Sequence, residues 1–131
     1  MKKLKLPKKF CWRIEQTETG FSAYESKLPL FTTAADMPEL LNHCYEAEAL
    51  YFDKEEAEVA LIPHQFIWDW RSFFNHYRIL NARLFAKRVG INPALLSQYM
   101  SGHKVPSWRQ QQKLVAGVKK IGEELSQFEF L

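Results

Sequence analysis

The groups that do covalent chemistry in proteins stand at few useful spacings in this 131-residue chain. Cys44 follows His43 directly, and neighbours on a helix diverge by about 100°, so the two cannot act as nucleophile and base. The four histidines and two cysteines show no metal-ligand spacing. Glu15 and Glu25 are the carboxylates expected on strands, and no later strand supplies an aspartate, so no cluster for divalent cations is expected. No catalytic residue, metal or cofactor is assigned, and the chain is read as a non-enzyme. Hydrogen bonding to nucleic acid has more to work with. Asn92, Pro93, Ala94, Ser97 and Gln98 fall on the outward side of one short expected helix. A glutamine can bond adenine through N6 and N7, and an alanine can touch a thymine methyl. Arg83, Lys87 and Arg88 before that helix, and Ser101, His103 and Lys104 after it, are placed for phosphates. A solvated helix face is the plainer alternative for Lys87 and Arg88.

These side chains need two helices and a tight turn to hold them. Asn81 is an N-cap residue, and Phe85, Ala86 and Val89 then share one face. Gly90 stands where the chain must leave the helix with positive φ, and Ile91 plugs the corner. Asn92-Pro93 opens the second helix, with Leu96 and Tyr99 pointing back to a core, and Ser101-Gly102 closes it. A small residue at the crossing (Ala86), a turn residue four later (Gly90) and an apolar anchor six beyond (Leu96) make the helix-turn-helix layout, whose second helix enters the major groove. Use of the motif only to dimerise is the alternative.

Together with the tail Gly102-His103-Lys104-Val105-Pro106-Ser107, the stretch resembles the Cro/C1-type helix-turn-helix family. The resemblance implies base reading from the start of the second helix and from Gln98. The glutamine that this family often carries at the start of the preceding helix is Ala82 here, with Arg83 beside it.

The net charge of +3 hides an asymmetry. From Phe10 to Leu61 three basic residues face eleven acidic ones, a balance of −8. From Ile62 to Leu131 ten basic residues face four acidic ones, a balance of +6, and the first nine residues carry +5. One half should repel nucleic acid and the other attract it, which points to two kinds of partner. Lys2 to Lys9 form a basic arm, either solvated or contacting phosphate. Hydrophobic residues make up 47%, enough for a packed core. No apolar run approaches a membrane span and no signal peptide is visible. Two cysteines fit a reducing compartment, so a cytoplasmic protein with no membrane partner is expected.

Residues 10–16 alternate apolar and polar, as a half-buried strand does, and Thr17-Glu18-Thr19-Gly20 is a hairpin turn. Residues 21–25 make a second strand and 31–34 a third. Asp36 caps a helix running to about Phe52, with Met37, Leu40, Leu41, Cys44, Ala47 and Tyr51 as its stripe and Glu39, His43 and Glu46 outside it. Val59 to Ile62 reads as a short fourth strand. Phe66 to Leu80 reads as the first helix of a second module, with Ile67, Trp70, Phe74 and Tyr77 at helical spacing. A last helix from about Ser107 to Glu124 carries Trp108, Gln111 or Gln112, Val115, Val118 and Leu125, and Ser126 to Leu131 alternates like a strand that needs a dimer or domain contact.

The run Trp12, Thr19-Gly20-Phe21-Ser22-Ala23-Tyr24, Leu28-Pro29, Thr33-Ala34-Ala35-Asp36, Glu39-Leu40, Glu46-Ala47 and Leu50-Tyr51 is similar to the HicB antitoxin family. That resemblance implies a truncated ribonuclease-H-like half-fold that covers a small basic HicA-like toxin, with Glu39, His43 and Glu46 as candidate contacts. The expected fold class is α+β. A β-β-β-α half-fold over residues 1–62 is followed by an all-α helix-turn-helix domain over 63–131. The expected function is that of an antitoxin of a type II toxin-antitoxin system. It would neutralise an mRNA-cleaving toxin and, as a homodimer or higher oligomer, bind double-stranded operator DNA to repress its own operon. The alternative is a stand-alone repressor whose first domain senses a ligand or mediates assembly.

Overall fold

A computed structural model describes residues 4–129 of the protein. Met1 to Lys3 of the basic arm and Phe130 and Leu131 of the tail lie outside the described residues. The chain is mixed α and β, with a four-stranded sheet built within residues 10–68, two helices before its last strand and, among the described residues, only helices after it. It divides into two compact units between His76 and Tyr77, later than the boundary at 62/63 read from sequence.

In the first unit the alternating segments become β1 (Phe10–Gln16), β2 (Phe21–Glu25) and β3 (Phe31–Ala34), joined as an antiparallel meander. Gly20 closes the first hairpin, where Thr17 N–H donates to its carbonyl at 2.9 Å. A Cβ at Gly20 would lie 2.2 Å from the backbone oxygen of Ala34, so only glycine fits there. Asp36 then caps α1 (Met37–Phe52), its carboxylate accepting from Glu39 N–H at 2.9 Å. After α2 (Glu56–Ala60) the chain returns as β4 (His64–Trp68), parallel to β1, giving the order β3-β2-β1-β4. The registers place Phe10, Trp12 and Ile14 of β1 opposite His64, Phe66 and Trp68 of β4. The three β1 side chains are fully buried, together with Leu40 and Cys44 of α1. Each such burial contributes roughly 1.5–3 kcal/mol.

Two expectations fail in this unit. Val59 to Ile62 is not a strand: Val59 is buried on α2, and the strand starts two residues later, after Pro63. Phe66 to Leu80 is not one helix. Asp69 divides it: its N–H donates to Ile14 O at 2.8 Å as the last rung of the parallel ladder, and its carboxylate and carbonyl accept from Ser72 and Phe73 N–H. Asp69 thus caps α3 (Trp70–His76), where Trp70, Phe73 and Phe74 are buried and their rings pair edge to face at 5.0 to 5.4 Å.

The second unit consists of α4 (Ala82–Val89), α5 (Pro93–Ser101) and α6 (Trp108–Leu125). Asn81 caps α4 through Leu84 N–H at 3.0 Å, and Asn92 caps α5 through Ala94 N–H at 2.8 Å. Gly90 has φ 77 and Gly102 φ 83, the left-handed exits expected of them. Phe85, Ala86, Ile91, Leu96 and Tyr99 are buried, as their spacing requires. Ser107 caps α6 through Gln110 N–H at 3.2 Å. A Cβ on Gly117 would sit 2.1 Å from Val89 Cγ1, which marks where α4 and α6 touch. The stripe of α6 keeps Gln111 and Val118 of the expected one and replaces the rest. Gln111 and Leu114 are buried and Val118 and Ile121 half-buried, whereas Trp108, Val115 and Leu125 are exposed. The start of the tail, Ser126 to Phe128, turns rather than extends, with Phe128 N–H donating to Leu125 O at 3.2 Å.

Candidate functional site

With Leu96 and Tyr99 fixed inward, α5 must turn Ala94, Ser97 and Gln98 outward, and all three are exposed. Residues 94, 97, 98 and 101 share one face by their spacings of three and four. Asn92 is also exposed, but its side-chain oxygen is taken by the cap, so only its amide N–H groups face outward unpaired by that bond. Pro93 is half-buried and contributes ring surface alone.

The cations around α5 are not equivalent. Arg83, Lys87 and Lys104 are exposed. Arg88 is held against Glu124 in an ion pair whose partners are both about half exposed. Ser101 Oγ donates to Gln98 O at 3.1 Å and lies 2.6 Å from His103 Nδ1. One hydroxyl has one proton, so with that proton on Gln98 O the short contact calls for a proton on His103 Nδ1. Lys113 Nζ donates to Gly90 O at 3.0 Å, tying the turn between α4 and α5 to α6. Nine basic residues against three acidic ones give residues 77–131 a balance of +6.

In the first unit Glu39, His43 and Glu46 share one face of α1, and the first two are engaged there. His43 Nδ1 lies 2.7 Å from Thr33 O, so that nitrogen carries the proton, and Nε2 lies 3.7 Å from Glu39 Oε1. Glu39 Oε2 accepts from Ala35 N–H at 3.4 Å. The two side chains brace α1 against the end of β3, and Glu46 is exposed.

The sequence reading missed the buried centre of this unit. Glu48 is fully buried on α1, four residues past Cys44 and eight past Leu40. Its Oε2 accepts from Trp12 Nε1 at 2.6 Å, and both its oxygens lie 2.8 Å from His64 Nε2. His64 Nδ1 lies 2.6 Å from Ile62 O. The imidazole stacks on Phe10 at 4.9 Å and meets the Tyr45 ring edge to face at 5.0 Å. A carboxylate within the helix's apolar phase was the available signal, since a buried charge demands a partner. The cluster joins β1, α1 and β4 and holds the sheet to its helix. Burial, with the Glu48 charge adding, pushes the Cys44 thiol up from 9.0 to about 12. Cys44 is therefore no nucleophile at neutral pH. Above pH 9 the unfolded chain loses this proton and the folded one keeps it, so the folded state loses stability as pH rises toward 12.

No group of three metal-ligating side chains occurs among the described residues, and no described helix is long and apolar enough to cross a membrane. No protein-family model, curated protein or solved structure matches this chain.

Proposed function

We propose that this chain is a DNA-binding antitoxin whose second unit reads a palindromic operator and whose acidic first unit covers a small basic toxin. The observation that carries the DNA half is α5: Ala94, Ser97 and Gln98 exposed on one face, with Leu96 and Tyr99 locking the other. The left-handed exit at Gly90 and the caps at Asn81 and Asn92 support a helix-turn-helix use of α4 and α5. The balance of +6 supports attraction to the duplex. Gln98 reads a base, and Arg83, Lys87 and Lys104 hold phosphates.

The toxin half rests on the HicB resemblance and on the −8 balance of residues 10–61, which complements a basic RNA-cleaving protein. The β-β-β-α order through Phe52 is compatible with it. Because Glu39 and His43 brace β3, Glu46 and the acidic residues around α2 are the groups most available to a partner.

Gln98→Ala tests the first half. It is expected to lose about 1–3 kcal/mol of operator binding and to relax the preference for adenine at one position. Unchanged affinity and preference sink the assignment of α5. Capture from native lysate in high salt tests the second half, since salt strips nucleic-acid bridges. A stoichiometric small basic protein supports the antitoxin. An expressed neighbour gene product that stays unbound leaves a stand-alone repressor.

A further inference from the structure

The last helix is longer than what it packs on. At about 1.5 Å per residue, α6 with 18 residues runs some 27 Å, whereas α4 with 8 runs about 12 Å. Its apolar residues keep alternating spacings of four and three throughout: Leu114, Val118, Ile121, Leu125 and, in the turn beyond, Phe128. That is the spacing of a helix-pairing seam. Burial fades along it. Leu114 is 0% exposed, Val118 and Ile121 are half-buried, Leu125 is 58% exposed and Phe128 86%. Within the second unit the seam outruns α4, the helix it packs on.

Two further features lie on the same stretch. The glycines of α6 differ: Gly117 is where Val89 presses in, but a Cβ at Gly122 would meet nothing within 4 Å. Mid-helix glycine is disfavoured unless something approaches closely, and none of the described residues does so at Gly122. Charge along α6 is also bipolar. Arg109, Lys113, Lys119 and Lys120 precede Ile121, and Glu123, Glu124 and Glu129 follow it. Carboxylates near a helix C-terminus oppose the helix dipole. Glu124 already rests against Arg88, and an antiparallel copy of the same helix answers the other carboxylates, because its basic half lies against this acidic half and the dipoles oppose.

We infer that the C-terminal half of α6 is a self-association surface. A second copy of the chain lays its own α6 antiparallel across it, crossing near Gly122, with Leu125 and Phe128 buried between the two. The contact is isologous, as a two-fold dimer requires. It deepens the DNA-binding reading by naming the surface that pairs two α5 helices, and it is measured without DNA so that the two can fail separately.

The test is sedimentation of the full chain over about 5 to 500 µM, a range set by a contact smaller than a standard interface. The wild type is expected to shift from monomer to dimer within it. Leu125→Glu with Phe128→Glu is expected to raise the dissociation constant at least about tenfold while far-UV circular dichroism is unchanged, since both side chains are exposed. Gly122→Leu enters open space in the monomer and is expected to weaken the dimer likewise. A wild type monomeric throughout, or variants that dimerise as the wild type does, overturns the surface. Dimerisation lost in both variants establishes it, even for a protein that binds no operator.

Discussion

Glu48→Ala is expected to destabilise the first unit by about 3–5 kcal/mol, because it leaves one partner of a buried pair behind. Trp12 Nε1 and His64 Nε2 both point at this carboxylate, in a site where the Glu48 and His64 side chains are 0% and 6% exposed. His64 Nδ1 faces the Ile62 carbonyl, which only accepts, so that nitrogen carries a proton. The pair can then hold an imidazolium with a carboxylate, or a neutral imidazole with a carboxylic acid donating to Nε2. Either way the net charge is zero. Glutamine can imitate the second arrangement, its oxygen accepting from Trp12 and its amide donating to His64. Glu48→Gln should therefore cost about 1 kcal/mol or less, the scale of a modest hydrogen-bond rearrangement. Denaturant unfolding followed by far-UV circular dichroism reads both variants, with the first unit's transition fitted separately. A glutamine as damaging as the alanine would show that the site needs the charge itself.

How far the sequence carried this fold depended on whether an element had one buried face. β1 has one, with Phe10, Trp12 and Ile14 inward and their neighbours half-buried, and its alternation is visible. β4 has none of that contrast. All five of its residues are half-buried, and it is an edge strand paired in parallel with β1 alone. Without alternation, Ile67 joined Trp70 and Phe74 in an apparent helical phase, and Asp69 passed as an interior residue rather than a cap. The caps and turns of α4 and α5 were legible because Asn81, Gly90, Asn92 and Gly102 act locally, through their own side chains or their own φ. The stripe of α6 was misread because Leu114 and Val115 are both apolar and differ only by one step around the helix, and α4 decides between them. Glu48 was hidden for the opposite reason. A carboxylate is ordinarily assigned to the solvent face, and its partners Trp12 and His64 are distant in sequence, so only the assembled sheet brings them together.

Removing Arg83, Lys87 and Lys104 together is expected to flatten the salt dependence of operator binding by about 0.9 per cation, in the slope of log affinity against log salt. At about 0.15 M salt this counterion term alone lowers affinity on the order of 100-fold. These three exposed cations differ from Arg88, whose guanidinium rests against Glu124. That ion pair is half exposed, and exposed pairs contribute little, so a phosphate offering bidentate, charge-assisted bonds should draw Arg88 away. Glu124→Gln then raises affinity severalfold, because the phosphate no longer competes with a carboxylate. Gln98→Ala gives the contrasting signature: weaker binding with an unchanged slope, since a base contact releases no counterion. Titrations on a single half-site duplex keep self-association through α6 out of the measurement. A triple variant whose slope matches the wild type would place the DNA backbone somewhere other than beside α4 and α5.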